Sequence, residues 1–329
     1  MKKTLTIIIP CYNEEEVLPL CYERVSAMLT GLKEHEGVES WMLFVNDGSK
    51  DRTPQLLHRY AQEDSRIQVV HLSRNFGHQV AVTAGMRHCK TEYAAIIDAD
   101  MQDPPEVIPE MWRKMLEEDV AVVYGVRRQR DGETWMKKWT AKVFYRFLNS
   151  MTDHPFPVDT GDFRLINQQV LRAFNALPEH NKYVRGIISW LGFPQAPLYY
   201  DRQERAAGST KYTLGRMIGL AMDALQYFSK KPLRVATRLG FISVGIGVLL
   251  ALWVLLGKIF GFTYPASGWS SIMIVVIFFG GLQLLTIGVM SKYIEVIFDE
   301  VKGRPEYVVA LTENIIEEEE KGVEPIQEQ

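Results

Sequence analysis

Cysteine is scarce in this chain of 329 residues: there are three, Cys11, Cys21 and Cys89. None stands in C-x-x-C or another metal or redox spacing, which leaves out dithiol chemistry and fits a reducing cytoplasm. A surplus of positive charge is also lacking. The formal net charge is −3, so nothing marks a nucleic-acid partner. A secretory leader is not expected, because the apolar run from Leu5 to Ile9 is too short and leads into Pro10 and three glutamates. No internal repeat is present. Charge itself is missing from two long stretches, Leu239 to Gly257 and Trp269 to Ser291. Each is long enough to span a bilayer core, a pair of buried core helices being the alternative. Neither holds an ionisable residue that would mark a polar pathway, which argues against a transporter.

The two uncharged stretches are separated by a short polar-aromatic turn, Gly261 to Gly268, and so predict a two-helix transmembrane hairpin. Lys230, Lys231, Arg234 and Arg238 precede the first span, and Lys292, Lys302 and Arg304 follow the second. By the positive-inside rule both termini and the rest of the chain are expected on the cytoplasmic face of the cell (inner) membrane. Leu214 to Phe228 has apolar residues at helical spacing, namely Met217, Ile218, Ala221, Met222, Leu225 and Phe228. It reads as an amphipathic interfacial helix on the lipid bilayer, or as a helix packed on the domain. Ser243-x-x-x-Gly247 and Gly280-Gly281 offer small-residue surfaces for a homo-oligomer, or for packing within one hairpin. The acidic run Glu317 to Glu320 and its flanks read as a solvated or disordered tail.

What the first two-thirds of the chain does contain is a series of short apolar runs that stop at carboxylates. Ala94 to Ile97 leads into Asp98-Ala99-Asp100-Met101-Gln102-Asp103. Thr6 to Pro10 leads into Cys11-Tyr12-Asn13-Glu14, and Met42 to Val45 into Asn46-Asp47-Gly48-Ser49-Lys50-Asp51. Helical patterns follow, over residues 17–32 and 53–63. Strands alternating with helices predict an α/β fold with a mostly parallel sheet, and ligands of such sheets sit beyond the carboxyl ends of the strands. Asp98 and Asp100 fall on one face across Ala99 and offer hard oxygen ligands suited to Mg2+ or Mn2+. Arg127, Arg128 and Arg130 follow the apolar run Val120 to Val126 at another strand end, and Arg205 and Lys211 flank Gly208. Arginine forks suit phosphate, a solvated basic loop being the alternative.

The ordered set Pro10-Cys-Tyr-Asn-Glu14, Val45-Asn-Asp-Gly-Ser-Lys-Asp51, Asp98-Ala-Asp-Met-Gln102 and Arg205-Ala-Ala-Gly-Ser-Thr-Lys-Tyr212 resembles the family 2 glycosyltransferases. The likeness is to the polyprenyl-phosphate type, of which bactoprenol glucosyltransferase and dolichol-phosphate mannose synthase are members. It runs from residue 4 to about residue 300. The resemblance implies a GT-A nucleotide-sugar-binding domain over residues 1–212 and a juxtamembrane helix over 213–237. It further implies two spans within 238–291 and a cytoplasmic tail over 292–329. By the same resemblance Pro10, Tyr12, Glu14 and Asp47 line the base and ribose. Asp98 also belongs to the donor site, and Asp98, Asp100 and Gln102 hold the metal on the donor diphosphate. Arg128, Arg205 and Lys211 surround the phosphates. Asp159 and Asp162 orient acceptor or sugar, with a catalytic base as an open role.

The implied reaction moves a hexose from a nucleotide sugar, with UDP-glucose as first choice, to undecaprenyl (polyprenyl) phosphate with inversion. Other UDP-sugars or GDP-mannose, and a catalytically silent membrane-tethered nucleotide-sugar sensor, are the alternatives. A phosphate monoester has a second pKa of about 6, so it is its own nucleophile near neutrality and needs a base less than a hydroxyl does. Processive polysaccharide synthases resemble the same domain, but their Q-x-x-R-W motif is missing here.

Overall fold

The computed structural model describes residues 3–128, 160–179, 182–202, 231–260 and 268–315. The chain forms two compact units. One comprises Met1–Gly132, Pro157–Thr210 and Pro305–Gln329, and the other Glu133–Phe156 and Lys211–Arg304.

The first unit is an α/β sheet flanked by helices. Its strands are β1 (Thr4–Cys11), β2 (Glu39–Asn46), β3 (Ile67–Leu72), β4 (Tyr93–Ile96), β5 (Val122–Arg127), β6 (Thr160–Asn167), β7 (Gln195–Tyr200) and β8 (Val309–Glu313). Their order across the sheet is β7-β5-β6-β4-β1-β2-β3-β8. The β3-β2-β1-β4 centre is parallel, whereas β6 runs against β4 and β5, and β8 against β3. The outer pair β5 and β7 is again parallel. The helices are α1 (Leu18–Glu36), α2 (Thr53–Glu63), α3 (His78–His88), α4 (Ile108–Glu117), α5 (Gln168–Asn175) and α6 (Val184–Trp190).

The central strands are apolar without alternation because both faces are covered, as parallel sheets require. Leu5, Ile7, Ile8 and Ile9 of β1, and Met42, Leu43, Phe44 and Val45 of β2, are fully buried. Ile7 and Ile9 face the cluster that includes Leu18, Val25 and Leu29 of α1 and Trp112 of α4. Helix α3 covers the opposite face of β1 and β2 at close range. A methyl group added at its Gly85 would strike Ile8 Cγ2 and lie 3.2 Å from Val45 Cγ2.

The second unit contains α7 (Lys231–Ile259) and α8 (Trp269–Val301), which touch each other. Among the described residues one stretch, Val275–Val301, is long and apolar enough to cross a membrane, with a mean hydropathy of 1.7. Helix α8 passes the expected end at Ser291 and carries Lys292 and Glu295, joined at 2.8 Å one turn apart. Methyl groups built at Gly247, Gly280 and Gly281 would meet nothing within 4 Å. The expected interfacial segment over 214–228, the turn over 261–267 and the acidic run over 317–320 lie outside the described residues.

One sequence expectation is corrected. The flank of the acidic run is not part of a solvated tail: Val309–Glu313 is the edge strand β8, with Val70 opposite Thr312 and His71 opposite Leu311. It pairs with β3 and satisfies backbone groups that an open edge would leave to water.

The contact of α3 with the sheet predicts that Gly85→Ala overpacks the core and lowers stability by about 1–3 kcal/mol. Denaturant unfolding in detergent measures this, and an unchanged midpoint would contradict the contact.

Candidate active site

The carboxyl ends of β1, β2 and β4 lie side by side, because Cys11 pairs with Asn46 and Ile8 with Ile96. The loops after β1 and β2 are laced together. Asn13 N donates to Ser49 Oγ at 3.0 Å, and Lys50 N to Asn13 Oδ1 at 2.8 Å. Glu14 N donates to Thr53 Oγ1 at 3.0 Å, and Glu15 N to Asp51 Oδ2 at 3.1 Å. Pro10 is the last residue but one of β1, and Tyr12, just past the strand's end, is 43% exposed. Asp47 is buried and accepts Phe76 N at 2.7 Å and Gly77 N at 2.9 Å. Its carboxylate therefore ties the β2 loop to the turn before α3. Gly48, at φ 63, sits where a Cβ would strike the Arg74 carbonyl carbon and lie 2.6 Å from Asn75 N.

Asp98 and Asp100 follow β4 at the same rim. Asp100 Oδ1 accepts Gln102 N at 3.1 Å, closing a tight turn in which Met101 takes φ 56. Burial, and then the charges of Asp162, Asp103 and Asp100, push the Asp98 carboxyl up to about 6, while His78 opposes the shift. Crowded carboxylates of this kind, with an amide oxygen at Gln102, match the hard donor set of Mg2+ or Mn2+. Among the described residues no three His, Cys, Asp or Glu side chains form a complete metal cage. Substrate phosphate oxygens would have to complete the shell.

Because β6 runs against its neighbours, it is the start of this strand that reaches the rim. Asp162 arrives there buried and meets three side chains from two helices. His78 Nε2, at the first position of α3, is 3.1 Å from Oδ2, and Gln79 Nε2 donates to the same oxygen at 2.8 Å. Arg185 Nε, from the start of α6, donates to Oδ1 at 3.1 Å. Burial works to raise the Asp162 pKa, but His78, Arg185 and Arg164 hold the carboxyl far below the usual range. Burial likewise opposes charge on His78, yet Asp162 and Asp98, the latter 3.6 Å away, push it up to about 9. Gln79 Oε1 accepts Val184 N at 2.9 Å, so α3 also caps α6.

A second buried carboxylate, Asp103, accepts Tyr200 Oη at 2.5 Å, with Arg202 Nε at 3.5 Å and Arg127 Nη2 at 3.7 Å. Gly161 leaves room for this arginine, since a Cβ there would sit 3.1 Å from Arg127 Nη2. Arg128 instead lies on the surface, 3.8 Å from Asp201. Asp159, Arg130, Arg205 and Lys211 lie outside the described residues. The structure thus brings Pro10, Tyr12, Glu14, Asp47, Asp98, Asp100, Gln102 and Asp162 to one rim. His78, Gln79, Arg185, Asp103 and Tyr200 were not foreseen. The run Phe76-Gly77-His78-Gln79 before an apolar helix is the signal that could have found the first two.

Known proteins are similar to this chain. The model of Glycosyl transferase family 2 covers residues 6–174. The chain is 45% identical over 304 residues to the uncharacterized glycosyltransferase YkcC of Bacillus subtilis (strain 168), spanning 92% of each chain. It is 34% identical over 305 residues to the SfII prophage-derived bactoprenol glucosyl transferase of Shigella flexneri, spanning 93% of this chain and 97% of that one. Among solved structures, it resembles the mannosyltransferase PcManGT from Pyrobaculum calidifontis in complex with GDP-Man and Mn2+. That match has a TM-score of 0.49 at 15% identity, over 92% of this chain and 87% of the other.

Asp162→Asn should cost stability, since it removes the charged acceptor that His78 and Arg185 share. Both cations keep access to water, at 43% and 35% side-chain exposure, so about 1–3 kcal/mol is expected. Thermal unfolding in detergent reads this, and an unaltered transition would show that the cluster carries no stability.

Proposed function

Because this chain belongs to glycosyl transferase family 2, we propose that it transfers a hexose from a nucleotide sugar to a polyprenyl phosphate at a membrane surface. The relative named bactoprenol glucosyl transferase supports both the acceptor and glucose as the sugar. UDP-glucose is the donor to test first, and GDP-mannose the alternative.

We assign Pro10, Tyr12, Glu14 and Asp47 to the donor base and ribose. Asp98, Asp100 and Gln102 would hold a Mg2+ or Mn2+, which when bound supplies positive charge for the leaving diphosphate. An acceptor phosphate oxygen attacks the anomeric carbon, the bond to the diphosphate oxygen breaks, and the nucleoside diphosphate departs with the electron pair. One displacement inverts the configuration. Arg128, Arg205 and Lys211 remain candidates for holding phosphate, and Asp159 for orienting acceptor or sugar.

One observation carries the choice of acceptor. Asp162 is held ionised by His78, Arg185 and Arg164, so it is a poor proton acceptor near neutrality. A phosphate brings its own charge and needs no proton removed, whereas an alcohol does.

Connectivity supports the membrane arrangement. The chain leaves the α/β unit before α7 and rejoins its sheet as β8 after α8. A water-soluble unit lies on one side of a bilayer, so the chain between must cross an even number of times. Two spans, with the catalytic unit and both termini cytoplasmic, satisfy this together with the positive-inside rule. The open space around Gly247, Gly280 and Gly281 leaves these surfaces for a second copy of the chain, so a homo-oligomer is part of the proposal.

Purified protein given UDP-glucose, Mg2+ and either undecaprenyl phosphate or undecaprenol should yield a product with the phosphate alone. NMR of the linkage should show inversion. Equal transfer to the alcohol would overturn the phosphate acceptor. Asp100→Ala should lower turnover at least about a hundredfold, and excess EDTA should do the same. Full activity in either case would remove the metal.

A further inference from the structure

The segment that returns from α8 is anchored by two carboxylates, each between two basic side chains. Glu306 faces Arg87 Nη2 at 3.2 Å and Lys182 Nζ at 3.4 Å. Glu313 faces His58 Nδ1 at 2.7 Å and His71 Nε2 at 2.9 Å. The second anchor continues inward. His71 Nδ1 lies 2.9 Å from Asn46 Nδ2, and Asn46 Oδ1 accepts Ser49 N at 3.0 Å. That last bond fixes which way the amide points. Its NH2 group faces the ring, so His71 Nδ1 accepts and the ring proton is on Nε2, towards Glu313.

The bonds therefore run in one direction without a break. Glu313 on β8 orients His71 on β3, His71 orients Asn46 at the end of β2, and Asn46 holds Ser49. Ser49 Oγ in turn accepts Asn13 N, and Asn13 Oδ1 accepts Lys50 N. Asn13 stands at φ 55, a backbone state that needs support from its surroundings. Tyr12, Glu14 and Asp47 are immediate neighbours of Asn13 and Asn46. His71 and Asn46 are 9% and 4% exposed, so water does not readily replace either bond.

We propose that Glu313 is a positioning residue for the nucleotide: the strand made after the apolar helices sets the loops that bind the donor. This rests on reading the β1 and β2 loops as the nucleotide site. Glu313→Ala frees the His71 ring and with it the Asn46 amide, while Glu313→Gln still accepts from His71 Nε2.

Binding of UDP and of GDP, each with Mg2+, is measured by calorimetry on the full chain in detergent. Glu313→Ala should weaken nucleotide binding about tenfold, as loss of support from a buried polar network does. Glu313→Gln should restore it, and in Glu313→Ala the KM for the sugar donor should rise while kcat stays within about twofold. Glu306→Gln, which loosens the same segment without touching the relay, should leave nucleotide affinity unchanged. If the wild-type chain binds neither nucleotide, the site assignment fails and the proposal with it. If it binds and Glu313→Ala binds equally well, or Glu306→Gln weakens binding as much, the proposal alone fails. Should Glu313→Ala not fold, His71→Leu and His71→Gln ask the same question at mid-relay. A glutamine there keeps one acceptor for Asn46 and one donor for Glu313, so only the leucine variant should lose affinity, and equal affinities would overturn the proposal.

Discussion

Burial on both faces of the central strands is the constraint from which the site follows. Beyond Glu39 at the start of β2, these strands carry no carboxylate until they end at the rim. Parallel direction then puts those ends on one rim. The rim would be a surplus of negative charge if nothing opposed it. His78 from α3, Arg185 from α6, and Arg127 and Arg202 at the ends of β5 and β7 supply the opposition. Asp162 and Asp103 are the two carboxylates most enclosed by these cations. Asp98 and Asp100 are the pair less so.

This division of labour has a chemical consequence. A carboxylate surrounded by cations keeps its charge and gives up its basicity, whereas one crowded by other carboxylates gains proton affinity. Asp162 is the first case, and Asp98, pushed up first by burial and then by its carboxylate neighbours, is the second. Little capacity is left for deprotonating a neutral nucleophile at Asp162.

The sheet's centre was legible because it is the case that hydrophobic patterning describes well: short β-branched runs ending at polar residues. Helix α2 falls at its expected bounds, and α1 begins within a residue of its expected start. The reversal of β6 was not legible, because side-chain alternation carries no sign of strand direction. Asp162 could be marked as a site residue from its motif, but not as a buried ion. His78 and Arg185 reach it from helix starts more than a hundred residues apart, a pairing that no local spacing announces. β8 was missed for a different reason. Five residues, Val-Ala-Leu-Thr-Glu, beside an acidic run have too little pattern of their own, and they are a strand only because β3 offers them an edge.

The place of β8 in the chain also fixes when the domain is finished. Residues 309–313 leave the ribosome after both apolar helices, and strands cannot pair before they are made. Through all of that synthesis β3 is the outermost strand, with unsatisfied backbone groups and a half-covered face. The catalytic unit therefore cannot mature ahead of the apolar helices. A chain whose second helix failed to return would carry an incomplete sheet, open to pairing with other chains, rather than a working enzyme released in the wrong place.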